Sequence, residues 1–277
     1  MTALRALISA DVEGMTGVTC PADCTPGTVE YARFQPMWTA EVNAVALGLF
    51  EGGVEEVLVT EAHGPMRNLL LEQLDPRIRM VTGKHKTYSM MEGIQSRPDI
   101  VAFVGYHAAA GENGVLSHTM IGPILVHAEL NGVVMSEGYV NAALAAEFGA
   151  RVSLVGGDDL TCADAANYAP RAEMVAVKEA VDRYTANCLH PEVTLPLLQE
   201  AGARAVEAGP MTAAEPPFVC DMEFAVSSAA AACAIIPRVT RIDTRTVRMQ
   251  FDSASELYGC IKTVCRTATS TAEPTYG

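Results

Sequence analysis

Five short runs rich in Val, Ile and Leu constrain this chain more than any other feature: Leu4 to Ala10, Val54 to Thr60, Ile100 to Val104, Ile124 to Glu129 and Val152 to Val155. Each is too short for a buried helix and is bounded by Gly, Pro, Asp or Asn. Each therefore reads as a strand covered on both faces. Helical patterns lie between several of them, at 36–51, at 136–148 with Ser136 as N-cap, and at 159–166. Strands alternating with helices specify an α/β fold with a largely parallel central sheet flanked by helices.

The rhythm changes after about Arg171. Lys178 to Cys188 reads as a helix, Pro191 to Gly209 as a long helix and Phe218 to Phe224 as an apolar strand. A small helix through Ala229 to Cys233, an extended stretch from Arg241 to Phe251 and a final helix from Ser253 to about Arg266 follow. The expected organisation is a first α/β domain over residues 1–170 and a smaller second α/β lobe over 171–277, with the boundary near 168–172. The second lobe would complete the subunit and the oligomer interface. Thr267 to Gly277 is polar and expected to be loose.

With 277 residues, 49% of them hydrophobic and 19% charged, the chain can bury a large core without disulfides. A formal net charge of -14 argues against nucleic acid and anionic membranes as partners, since both demand clustered Lys and Arg. Asp11 and Glu13 follow the first apolar run too soon for a signal-peptide core or a spanning helix, so a cytoplasmic location is expected. Most of the eight cysteines sit in apolar or helical stretches and read as buried thiols. Cys20 and Cys24 could form half of a metal site, but no second half with matching spacing follows.

The candidate chemistry lies at strand ends. Asp11 and Glu13 are two apart after the first strand, so in an extended backbone both carboxylates face one pocket. The second strand ends in Glu61-Ala62-His63-Gly64 and the third in Gly105-Tyr106-His107. Ligands of open α/β sheets bind beyond the carboxyl ends of strands, where these residues would converge. Either histidine alone reads as structural, and it is the convergence that is informative. Glu137 opens the helix after the fourth strand; the helix dipole alone explains a glutamate there, and the same rim offers a second role. Asp11, Glu13 and Glu137 bring three negative charges, so one divalent ion would leave the cluster anionic and two would leave it one unit positive. Two metals suit the activation of water and polarisation of a carbonyl, and mixed imidazole and carboxylate ligands suit zinc. His118, across the Gly111-Glu112-Asn113-Gly114 turn, could act as nucleophile or as proton donor and acceptor.

The strings Asp11-Val12-Glu13-Gly14, Ala62-His63-Gly64, Gly105-Tyr106-His107-Ala108, Ser117-His118, Glu137-Gly138 and Gly156-Gly157-Asp158-Asp159, in this order and at these separations, resemble the bacterial zinc-dependent D-aminopeptidase family. The likeness runs from the first strand through Asp159 and more weakly to Met222-Glu223-Phe224. The resemblance implies a metallo-aminopeptidase acting on short peptides, with D-residues, and a self-compartmentalising ring, a homodecamer. It also implies two zinc ions per subunit on Asp11, Glu13, His63, His107 and Glu137, with His118 matching the family's proposed nucleophile. One departure is Glu61, where an aspartate is expected before the small residue and the histidine. Its extra methylene would shift a supporting hydrogen bond and with it zinc occupancy or substrate range.

Two other readings compete. The same ligands would serve a dinuclear amidohydrolase or phosphoesterase, although Arg67 is the sole basic residue adjoining the motifs in sequence. A non-catalytic protein that recognises peptide amines with the acidic pocket is the third. There is no HExxH helix, no GxSxG elbow, and Gly83-Lys84 lacks the Ser or Thr of a phosphate-binding loop.

Overall fold

The computed structural model describes residues 3–272. In chain order the elements are β1 (Arg5–Ala10), α1 (Pro21–Cys24), α2 (Val29–Glu51), β2 (Glu56–Glu61), β3 (Arg79–Val81) and β4 (Ile100–Val104). There follow β5 (Leu125–Leu130), β6 (Val133–Val134), α3 (Glu137–Glu147), β7 (Arg151–Asp158), α4 (Asp159–Ala165), β8 (Glu173–Asp182) and β9 (Thr185–Cys188). The remainder is α5 (Pro191–Arg204), β10 (Phe218–Phe224), α6 (Ser227–Cys233), β11 (Val239–Arg241), β12 (Thr246–Phe251) and α7 (Ala254–Thr269).

These strands form a seven-stranded sheet of order β3-β2-β1-β4-β7-β8-β9, parallel except for β9, and a five-stranded antiparallel sheet of order β11-β12-β10-β5-β6. The side-chain period of two explains how the first sheet is covered on both faces. Ala6, Ile8, Ala10, Ile100, Ala102 and Val104 point into a core shared with Trp38, Val42 and Val45 of α2 and Leu198 of α5. The alternate residues Leu7, Val101 and Phe103 point the other way, into a core with α3, α7 and the inner face of the second sheet. The order is thus a helix layer, the parallel sheet, and a cover made by α3, α7 and the second sheet. No described helix is long and apolar enough to cross a membrane.

Several expected elements change. Lys178 to Cys188 is a strand and hairpin, not a helix: the buried Val175 and Val177 lead β8 in beside β7, its second half pairs antiparallel with β9, and this pairing overrides the helix preference of the intervening Ala, Lys and Glu. Residues 124–129, expected in the parallel sheet, pair antiparallel with β10 as β5. The helix expected from Pro36 starts at Val29, where the Thr28 side chain accepts the Tyr31 N–H, and Pro36 lies in its interior. The helix expected to reach Gly209 stops at Arg204. Because β5 and β6 belong to the second sheet while β8, β9 and α5 complete the first layers, a boundary at 168–172 does not separate the two sheets. Of the tail expected to be loose, Thr267 to Thr269 is helical, and residues 273–277 lie outside the described range.

Helices α2 and α5 touch through glycines. A Cβ on Gly48 would stand 1.9 Å from the Gln199 carbonyl oxygen, and one on Gly202 would stand 2.6 Å from that of Val45. At an ordinary helix position Gly→Ala stabilises by up to about 1 kcal/mol. Here the sign should reverse: Gly48→Ala is expected to destabilise the fold by about 1–3 kcal/mol through overpacking. The readout is a lower urea midpoint at unchanged m-value, and a raised midpoint would show that the helices separate at little cost.

Candidate metal centre

The chain lays β2 and β3 on one side of β1 and then returns to the other side with β4, so the carboxyl ends of β1 and β4 open onto a topological switch point. Asp11 directly follows β1, His63 comes two residues after β2 and His107 three after β4. The first turn is held against the β4 turn by Asp11 N–H to the Val104 carbonyl at 2.8 Å and Gly14 N–H to that of Gly105 at 2.8 Å. Only glycine fits this approach: a Cβ on Gly14 would lie 1.8 Å from the Tyr106 carbonyl oxygen, and Gly105, at φ +73°, would place one 2.3 Å from that of Asp11. Lys178 of β8 secures the same turn. Fully buried, it donates all three ammonium hydrogens to the carbonyls of Glu13 (2.6 Å), Met15 (2.9 Å) and Val18 (2.7 Å).

Glu137 reaches the site from another direction. It follows the second-sheet hairpin of β5 and β6 as the first residue of α3, not the parallel strand expected before it, and its Oε1 accepts the Met120 N–H at 2.6 Å. His118 rides on the loop after β4. That loop is fastened by the Val115 N–H, which donates to Asp158 Oδ2 at 2.7 Å. The structure therefore brings Asp11, Glu13, His63, His107, His118 and Glu137 together.

Each histidine is pinned the same way. His63 Nε2 lies 2.8 Å from the Cys24 carbonyl, His107 Nδ1 3.0 Å from that of Ala108, and His118 Nδ1 2.8 Å from that of Leu116. A carbonyl only accepts, so these nitrogens carry the proton and a neutral ring presents a lone pair at the other nitrogen. Those other nitrogens face acids: His63 Nδ1 is 2.8 Å from Glu13 and 3.5 Å from Asp11, and His107 Nε2 is 3.7 Å from Asp11 and 3.6 Å from Glu137. His118 Nε2 is 4.0 Å from Glu13 and 3.9 Å from Glu137, its ring stacked on His107. Asp11, Glu13, His107 and Glu137 are each at most 5% exposed, and Glu13 Oε2 is buried with no partner. Buried lone pairs that face buried carboxylates need positive charge between them. Imidazole nitrogens and carboxylate oxygens are the donor set zinc takes, so the residues fit the metal. Three groups have ligand atoms close enough for one ion: Asp11, Glu13 and His63; Asp11, His107 and Glu137; and Glu13, His107 and His118.

The titration behaviour has the same cause. Burial and the neighbouring Glu13 push Asp11 up to about 8. Burial works against His107 as a cation, yet Glu137 and the other acids raise it to about 10, and His63 is held well above its ordinary value against burial by Glu13 and Asp11. Glu13 and Glu137 are kept low despite burial, chiefly by His63 and His107 respectively. His118 alone among the three rings is lowered, by burial and by His107. Protons on His63 and His107 thus supply the charge a metal would otherwise bring.

Glu61 does not touch the cluster. Its Oε1 accepts the N–H groups of Asn68 and Leu69, both at 2.7 Å, and its Oε2 the Thr82 hydroxyl at 2.8 Å. The link to the ligands is indirect, since Asn68 donates its side-chain amide to the His63 carbonyl at 2.9 Å. No cysteine belongs to any metal-holding group among the described residues; Cys24 contributes its backbone carbonyl instead. Sequence reasoning missed Lys178, whose only signal is a lysine inside a strand with a period of two. It also missed Lys84, Lys86, Lys262 and Arg266, which line the 330 Å³ pocket over the cluster, so Arg67 is not the only base near the site in space.

A family model described as D-aminopeptidase matches residues 4–263. A D-aminopeptidase of Bacillus subtilis (strain 168) is 32% identical over 258 residues, covering 92% of this chain and 93% of that protein. The solved structure of the Zn-dependent D-aminopeptidase DppA from Bacillus subtilis, a self-compartmentalizing protease, superposes with a TM-score of 0.92 at 30% identity, over 98% of this chain and 100% of that one.

A zinc ion held by His63 and His107, both with raised pKa values, would displace their protons, so near neutrality the metal-free site would hold more protons than the loaded one. Apparent zinc affinity is therefore expected to rise with pH, by about tenfold or more per unit between roughly pH 6 and 8. Competition against a chelator of known proton affinity measures it. A flat profile would mean that the two rings are not protonated.

Proposed function

The chain belongs to the D-aminopeptidase family, and from that premise we propose that it holds two zinc ions per subunit and releases the N-terminal residue of short peptides, D-residues foremost. The observation that carries this reading is the pair of ligand groups that share Asp11. Asp11, Glu13 and His63 would hold one ion, and Asp11, His107 and Glu137 the other. This division uses all five residues and doubles only Asp11, whereas a site on Glu13, His107 and His118 takes ligands from both. Two divalent ions against three carboxylates leave one unit of positive charge. Bound there, zinc supplies Lewis acidity towards the scissile carbonyl and towards water.

The chain's own groups supply the rest. His118 gives its Nδ1 hydrogen to Leu116 and has a lowered pKa, so at neutral pH its Nε2 offers a lone pair towards the pocket without first losing a proton. That is what either a nucleophile or a general base needs. As a base, Nε2 takes the proton of the attacking group and returns it to the leaving amine nitrogen. Glu137, Glu13 and Asp11 hold the ligand cage in place, and the Lys178 bonds keep the Glu13 turn from relaxing away from it.

Likeness to a self-compartmentalizing relative supports an assembly of several copies, which the family resemblance makes a ring-like decamer, and eight unpaired cysteines support a reducing, cytoplasmic setting. The zinc-loaded protein is expected to cleave a D,D-dipeptide faster than its L,L counterpart, with activity abolished by chelator. Glu137→Ala should lower the zinc content, whereas His118→Ala should keep both ions and lose about 10²- to 10⁴-fold in kcat. Peptide hydrolysis that survives both substitutions would sink the site assignment. Light scattering should find about ten subunits per particle, a count taken from the family resemblance, and a monomer would remove the ring.

A further inference from the structure

The pocket that opens over Asp11, Glu13 and Glu137 has a second wall of opposite sign, made of Lys84, Lys86, Lys262 and Arg266. It comes from two elements: the first two residues lie in the loop after β3, and the other two lie four apart on α7. Lys262 ties them together, its Nζ donating to the carbonyls of Lys86 (2.7 Å) and Thr87. Lys86 donates to the Thr60 hydroxyl at 3.0 Å and to the Glu61 carbonyl. An ammonium has three hydrogens, so Lys86 and Lys262 each keep one to offer. Arg266 spends one contact on His85 Nδ1, at 3.3 Å, and keeps most of its guanidinium edge.

None of these four cations has a described carboxylate within 4.0 Å. Glu61, whose field on Lys86 is the larger, has its oxygens engaged by the Asn68 and Leu69 N–H groups and the Thr82 hydroxyl, and Glu92, whose field reaches Lys86 and Lys262, has its own engaged by the Tyr88 N–H and the Gln95 amide. This happens in a chain with 33 acidic and 19 basic residues, where acids for pairing are plentiful. Four cations on one wall with no carboxylate in salt-bridge contact repel one another, and an anion bound between them would relieve that repulsion.

We propose that this wall is a carboxylate subsite that binds the free C-terminus of the peptide substrate. Charge fixes the direction of binding: the N-terminal amine is repelled by the lysines and the carboxylate is drawn to them, so the scissile bond lies over the metal cluster and the carboxylate against Lys84, Lys262 and Arg266. At 330 Å³ the pocket is near the lower limit for small-molecule sites. It takes a dipeptide or tripeptide whose carboxylate comes within reach of the cations, and longer chains lose that contact. The subsite would thus select short peptides by their charged end.

The proposal rests on the peptide-hydrolysis reading, so binding and turnover are measured separately. The probes are the D,D-dipeptide of alanine and its C-terminal amide, with binding to chelator-treated protein followed by calorimetry and hydrolysis by zinc-loaded protein. Lys84 and Arg266 are exposed, so Lys84→Met, Arg266→Met and the double variant should fold. The wild type is expected to favour the free acid over the amide by about tenfold or more in Kd and KM. The double variant, or high salt, should bring that ratio towards one. Equal binding of acid and amide by the wild type, or a preference that survives the double variant, overturns the subsite. Acid-selective binding without hydrolysis upholds the subsite and overturns the peptidase reading. Hydrolysis without acid selectivity does the reverse, and neither binding nor hydrolysis of either compound overturns both.

Discussion

Three carboxylates buried at one spot set the terms for the rest of this molecule. Asp11, Glu13 and Glu137 are nearly sealed from water, and ionised carboxylates in such a place demand compensating charge close by. The chain meets the demand with His63 and His107, each turned by a backbone carbonyl so that its free nitrogen faces the acids. Protons can occupy those positions, and so can zinc. The raised histidines and the low glutamates are two sides of that one demand for positive charge.

Keeping such a cluster in register takes structure outside it. The glycines at 14 and 105 let two strand-end turns press together, Lys178 stitches the Glu13 turn with three bonds, and Asp158 fastens the loop of His118. These are backbone restraints, so they set where ligands stand without occupying ligand positions. The arrangement also joins the two sheets. The parallel sheet supplies Asp11, Glu13, His63 and His107, while Glu137 and the cations of α7 come from the layer that covers it. A pocket between layers can thus draw both its acids and its cations from each of them, Glu137 joining the acids of the parallel sheet and Lys84 and Lys86 joining the cations of α7.

The elements that were legible in the sequence are those whose pattern is local. Runs buried on both faces announced β1, β2, β4 and β7, and the Ser136 cap announced α3. Residues 178–188 misled because Ala, Lys and Glu favour helices in isolation, while the hairpin of β8 and β9 forms only once Val175 and Val177 have laid the start of β8 beside β7. Residues 124–129 have the composition of a parallel strand and nothing to say that their partner, β10, lies some ninety residues on and runs the other way. The ligand candidates were legible because each sits at a strand or helix end, where direction is fixed by the element itself.

By itself, the sequence determined the α/β class, the family likeness and the acids and histidines at strand ends, because strand period and chain direction place these without knowledge of any partner. Tertiary structure alone decided what surrounds them. It chose which ring nitrogen faces the acids, it carried Glu137 in from the second sheet, and it set Lys178 beneath the first turn. It also collected Lys84, Lys86, Lys262 and Arg266 on one wall. Such contacts join residues far apart in the chain, and their geometry depends on how sheets and helices pack, for which no local pattern exists.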